Sequence, residues 1–214
     1  MTTAASSPLR IDADNNIRLS DATLWAGFAA AWEPRADGVR VLAHARVGGG
    51  AVAEESDEHH WAAWSPASRA AFIAACDAAD DRFRAAGSLL CLLPRASDAL
   101  SDVPGVLTFL RQRAASSLRI VLDPVLLLTP SMLGHAEDHL ARAILSIGAM
   151  PGVAAIIARN LSRDAESLVP CRLGEGVLDQ RWILGPLAEL KKSGAAVPPL
   201  VVCAGDEAAV ADLT

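Results

Sequence analysis

Tyrosine is absent from this chain, and all aromatics together make up 4% of its 214 residues. Alanine, leucine and valine must therefore fill the interior, which favours closely packed helices and β-branched strands over an aromatic-rich sandwich. The four cysteines, Cys76, Cys91, Cys171 and Cys203, form no C-x-x-C pair, so a cysteine zinc site is not expected and reduced buried thiols are. No lysine or arginine cluster stands out and the net charge is −6, which removes the positive footprint that general nucleic-acid binding needs. No run approaches eighteen apolar residues, and MTTAASSPLRIDADNN holds no apolar signal core. The expectation is a cytoplasmic chain with neither membrane nor nucleic acid among its partners. Nucleotide signatures are missing too: there is no P-loop, and no G-x-G-x-x-G follows a strand.

What is present is apolar and punctuated. Hydrophobic residues reach 52%, far above what a disordered chain carries. Residues 1–8 read as a loose tail and residues 9–214 as one α/β domain. Leu9-Arg10-Ile11 and Ile17-Arg18-Leu19 flank the turn-rich DADNN as a short strand pair, and Ser20-Asp21 caps a helix over ATLWAGFAAAW. Five strands of five or six residues follow: 39–44, 89–93, 118–122, 153–157 and 199–203. Between them the pattern predicts helices from Ser65-Pro66 to Gly87, and over 104–115, 131–148 and 179–193. LLCLL, bounded by Gly87 and Pro94, has the continuous apolar character of a strand buried on both faces.

Such alternation requires a parallel sheet, because each crossover must travel back over a face. Two architectures satisfy it: a parallel (β/α) barrel, short or incomplete against the eight units of a full one, or an open doubly wound parallel sheet. In both, ligands meet the residues just past the C-terminal ends of the strands. That rim receives His44 and Arg46, Pro94, Arg95 and Ser97, Asp123, Arg159 and Asn160, and Cys203, with Glu175 in the last long loop.

The order IVLDP, a strand ending in a polar residue, and LGEGVLD before a helix resembles the xylose isomerase-like TIM barrels, the sugar phosphate isomerase and epimerase superfamily. VLAHARVGG is similar to their histidine-bearing third strand. The resemblance spans roughly residues 39–203. It implies a divalent metal held by carboxylates and histidine, which polarises a carbonyl or hydroxyl while a carboxylate moves a proton between neighbouring carbons. On this chain it implies Asp123 as metal ligand, with His44 as acid/base and Glu175 as loop carboxylate. The ligand would be a small sugar or sugar phosphate. The pattern also has gaps. No carboxylate stands near Leu93-Pro94, Leu126 replaces the histidine three residues after Asp123, the next histidine position falls at Ala158-Arg159, and the closing glutamate is Cys203.

Each candidate has a plainer reading. Asp123-Pro124 is a common turn starter, and His44 fits a histidine hydrogen-bonded at the core edge. Glu54-Glu55-Ser56-Asp57-Glu58-His59-His60 reads as a solvated loop or a lid, and Trp61 and Trp64 as a cover for the pocket or a partner contact. His135 and His139 share a helical face, but in H-A-E-D-H the glutamate is out of place for a zinc motif. Arg95, Arg159 and Arg172 offer phosphate contacts or simple surface charge. Ser97 and Cys203 carry no nucleophile signature. The function expected is isomerase/epimerase-like, metal-dependent if active; the alternative is a non-catalytic scaffold for a protein partner or homo-oligomer.

Overall fold

The computed structural model describes residues 9–11, 17–18, 25–26, 40–45, 65–164 and 167–213. The acidic cluster 54–60, Trp61 and Trp64 lie outside them, as does the helix read over ATLWAGFAAAW except at Trp25-Ala26, which pair with Arg40-Val41 as a strand and so correct the helix at that point.

Ten strands are described: β1 (Leu9–Ile11), β2 (Ile17–Arg18), β3 (Trp25–Ala26), β4 (Arg40–His44), β5 (Leu89–Leu93), β6 (Leu118–Leu122), β7 (Val153–Ala158), β8 (Asn160–Asp164), β9 (Ser167–Cys171) and β10 (Leu200–Cys203). Eight form one sheet in the order β2-β1-β10-β7-β6-β5-β4-β3; β8 and β9 form a separate antiparallel hairpin. Every ladder of the main sheet is parallel except β1–β2. From β3 to β10 the strands of this sheet stand in chain order, and β1 pairs with β10, so the first strand lies beside the last. That is the order of a barrel; a doubly wound sheet would reverse direction at a switch point.

The helices decide between the two architectures. Ser65 caps α1 (Pro66–Ala85), its Oγ accepting from the Ser68 amide at 3.1 Å, and Phe72, Cys76, Ala79 and Phe83 form the buried stripe. Asp102 caps α2 (Val103–Gln112) by accepting from Gly105 at 2.7 Å. A 3-10 segment, Pro130–His135, precedes α3 (Ala136–Gly148), so the helix predicted from 131 starts with a tighter turn. α4 is Arg181–Lys192. All four bury residues in one cluster with Leu90, Leu92, Ile120, Leu122, Ile156, Leu200 and Val202.

The opposite face holds Leu42, Cys91, Leu93, Val121, Ala155, Ile157 and Val201, all at most 2% exposed, and none of α1 to α4 contributes to it. Burying one Leu or Ile is worth about 1.5–3 kcal/mol. A whole face left bare would consume much of a domain's total stability, about 5–15 kcal/mol. Among the described residues the helices lie on one side only, the arrangement of a barrel and not of a doubly wound sheet, which carries helices on both faces. No ladder between β1 or β2 and β3 is among the described pairings.

The N-terminal end of the sheet is locked by Asp80 of α1. Its Oδ1 accepts from the Ser117 amide (2.6 Å) and hydroxyl (2.5 Å), and its Oδ2 from Arg84 (2.6 Å). Burial by itself would raise this carboxyl, but the Ser117 and Ser116 hydrogen bonds and the Arg84 charge outweigh it and hold it below the usual range. Because the folded carboxyl is the more acidic, its contribution is complete above the unfolded value, near pH 4, and disappears as pH falls through the folded one. Asp80→Ala is expected to lose about 2–3 kcal/mol in urea unfolding at neutral pH. The gap to wild type should narrow below about pH 4.

Candidate functional site

Parallel strands deliver their C-terminal ends to one rim, and β6, β7 and β10 bring titratable groups to it. Asp123 follows β6 and is fully buried; Arg159 follows β7 and is 7% exposed. Arg159 Nε donates to Asp123 Oδ2 at 2.5 Å, and Nη2 stands 2.5 Å from the same oxygen. Asp123 also starts a turn, its carbonyl accepting from the Leu126 amide at 3.2 Å. The turn reading of Asp123-Pro124 is thus seen in the backbone, and the carboxylate pairs with Arg159. Burial pushes the Asp123 carboxyl up, opposed by Arg159, by the Val125 amide and by the charge of Arg95. Oδ1 accepts no hydrogen bond among the described residues.

A second group lies after β9 and β10. Asp206 is 7% exposed; its Oδ1 accepts from Arg172 Nε (3.2 Å) and Nη2 (3.1 Å), and its Oδ2 from the Leu173 amide (3.0 Å). Gly205 has φ +95°, and a Cβ there would meet the Arg172 guanidinium at 2.6 Å, so the turn and the close approach both call for glycine. Glu175 is exposed and pairs with Arg172 at 3.5 Å. Cys203 ends β10, next to β7, which carries Arg159 at its end, and three residues before Asp206. Desolvation raises its thiol, and likewise that of Cys171, so neither is poised as a thiolate.

The loop carrying Glu175 is pinned from below. Asn160 is 1% exposed and its amide donates to the Leu173 and Leu178 carbonyls, both at 2.8 Å. Its Oδ1 accepts from the Leu161 amide at 2.7 Å and the Leu178 amide at 3.1 Å. Val177 donates to the Leu161 carbonyl at 2.7 Å. Gly176 is squeezed against this staple; a Cβ would overlap the Asn160 amide and stand 2.5 Å from the Leu161 carbonyl, whereas Gly174 has open space. Helix α4 has Gln180 at its cap position, and Asp179 serves it from one residue earlier, accepting from the Arg181 amide at 2.9 Å.

Of the expected site residues, Asp123 reaches the buried rim, Glu175 lies on the exposed loop beside Arg172, and His44 ends β4 in register with Leu93. The His44 side chain lies outside the described residues. Arg159, open in the sequence to surface or phosphate roles, is an interior charge. The sequence reading missed Asp206 and Asp98, both buried, the Asn160 staple and the β8–β9 hairpin. A Gly-Asp pair after β10 was the one local signal among these.

A divalent cation does not suit the described residues. No three His, Cys, Asp or Glu side chains among them cluster for a metal, and Asp123 is engaged by a guanidinium. Magnesium takes about six hard oxygen ligands. At about 5 Å from a guanidinium it would meet a repulsion of roughly 7 kcal/mol with an effective dielectric of about 20. Leu126, at the position where a histidine is expected, packs against the inner apolar face.

Neither a family model nor a curated protein matches the chain. Solved structures do. A xylose isomerase-like TIM barrel protein from Mycobacterium smegmatis, in complex with magnesium, aligns at TM-score 0.50 and 17% identity over 81% of this chain and 60% of its own. A xylose isomerase-like TIM barrel/4-hydroxyphenylpyruvate dioxygenase fusion protein aligns at TM-score 0.50 and 16% identity over 78% of this chain and 24% of its own. The fold is that of a xylose isomerase-like TIM barrel. This chain thus spans about 60% of the length of the M. smegmatis protein. No helix among the described residues is long and apolar enough to cross a membrane.

In this xylose isomerase-like barrel the two glycines of the GEG loop should behave oppositely. Gly176→Ala is expected to cost about 1–3 kcal/mol through overpacking on Asn160. Gly174→Ala should stay within about 0.5 kcal/mol. Urea midpoints of the two variants check this.

Proposed function

We propose that this chain binds, and as an isomerase/epimerase-like barrel acts on, a small sugar or sugar phosphate at its C-terminal rim. The observation that carries the reading is that Asp123, Arg159 and Asp206 follow the neighbouring strands β6, β7 and β10, and that Arg172, after β9, pairs with both Asp206 and Glu175. Barrel enzymes place ligands at this end. Arg172, with its side chain 45% exposed, is the phosphate donor in this reading, aimed by Asp206. Glu175 and His44 are the proton carriers in this reading and Asp123 the buried rim carboxylate, whose Oδ1 accepts no hydrogen bond among the described residues. A proton moved between adjacent carbons needs one group to remove it and one to return it, which a loop carboxylate and a rim histidine can do.

A second reading is a non-catalytic scaffold for a protein partner or a second copy. Val169 (41% exposed) and Val177 (52%) sit on β9 and the loop after it. Among the described residues these two valines are the exposed large apolar side chains, less than the contiguous patch that marks an interface, and this reading is placed second. Val177→Asp followed by size-exclusion chromatography tests it: an unchanged elution of a monomer counts against the scaffold.

Thermal unfolding with a panel of aldose and ketose phosphates tests the leading reading. A ligand at about 100 times its Kd adds about 2.7 kcal/mol, which for a domain of this size is about 5–10 °C. Arg172→Ala is expected to lose most of the shift for phosphates and little of any shift for unphosphorylated sugars. Exchange of a substrate C–H proton in heavy water, followed by NMR and abolished by Glu175→Gln, tests the chemistry. No shift with any sugar phosphate and no exchange would overturn the reading.

A further inference from the structure

The resemblance assigns Asp123 to a divalent metal and expects a histidine ligand near Arg159. We infer that Arg159 is instead the resident counter-ion of Asp123: its guanidinium neutralises this strand end, so Asp123 is assembled without a metal and is not a metal ligand.

The two residues end adjacent strands and lie 36 positions apart in sequence, so the pair is made by the fold and not by local chain geometry. Both Nε and Nη2 meet one carboxylate oxygen, and the side chains are 9% and 0% exposed. A carboxyl this buried is either protonated or held by a fixed positive charge, and the two guanidinium contacts supply that charge here. Three neighbours agree with a guanidinium in that role. Arg95 adds a second positive charge to the field at Asp123. Leu126 presents hydrocarbon to the inner face. Cys203 carries a thiol that desolvation keeps protonated, in place of the closing glutamate. Leu126 and Cys203 bring neither negative charge nor a hard oxygen ligand to this strand end, and Arg159 balances Asp123 there.

The test needs no sugar, so it stands apart from the ligand reading. Thermal unfolding of the full chain is measured in EDTA and then with excess manganese or magnesium, for wild type, Asp123→Asn, Arg159→Met and the double variant. The wild-type midpoint is expected to be the same in all three media. Arg159→Met should fall by about 10 °C, because a buried carboxylate is left alone, and adding Asp123→Asn should restore most of that fall. A metal-induced rise that Asp123→Asn leaves intact puts the ion elsewhere and agrees with the inference. A saturable rise in wild type that Asp123→Asn abolishes overturns it, as does a double variant no more stable than Arg159→Met. If Arg159→Met does not fold, Arg159→Lys decides: folded protein with an unchanged response to manganese supports the inference, and a variant that also fails to fold, or that gains stability only with manganese, overturns it.

Discussion

Among the described residues, the fold rests on a sheet whose four α-helices lie on one side. α1 to α4 bury the outer face, and Leu42, Cys91, Leu93, Val121, Ile157 and Val201 pack together on the other. The same parallel arrangement sends every strand's C-terminal end in one direction. Apolar strand interiors and a polar rim are thus two results of one constraint. The rim is where the chain can place charge without breaking its core, and Asp123 stands at that boundary, directly after Leu122 and fully buried.

Much of the fold was legible because its signals are local. LLCLL, LRIVL and LVVC are short apolar runs bounded by Gly, Pro or Asp, and each became a strand at nearly the expected limits. Ser65-Pro66 announced its helix by cap chemistry alone. The alternation of strands and helices left barrel and doubly wound sheet both open, and the resemblance pointed to the barrel; strand order itself is a property of assembled strands. The β8–β9 hairpin escaped notice because Asn160–Asp164 and Ser167–Cys171 mix polar and apolar residues without a clear period, and Pro170 argues against a strand.

The site was legible in its parts and not in its pairings. Asp123 stood out through IVLDP and Glu175 through GEG, yet each partner comes from a distant strand or loop. Arg159 gives no sign in sequence that it faces Asp123, and Asp206 none that it clamps Arg172. The glycines show the same limit. Both break the helical pattern of the chain, but only Gly176 touches Asn160 closely enough to be required.

Arg159 and Asn160 are consecutive, and this ties the two halves of the rim together. One side chain holds Asp123 at the end of β6; the next holds the carbonyls and an amide of the loop bearing Glu175. A shift of the chain after β7 would move both contacts at once, because one peptide unit separates their anchors. The loop also depends on Asp206, which fixes Arg172 and the Leu173 amide from the end of β10. Glu175 thus sits on an exposed loop whose two ends are fastened to neighbouring strands by buried polar groups. An unsatisfied amide or carboxylate in those places would cost about as much as a lost core side chain. That cost is what keeps a glycine-rich loop in one position while its carboxylate stays open to solvent.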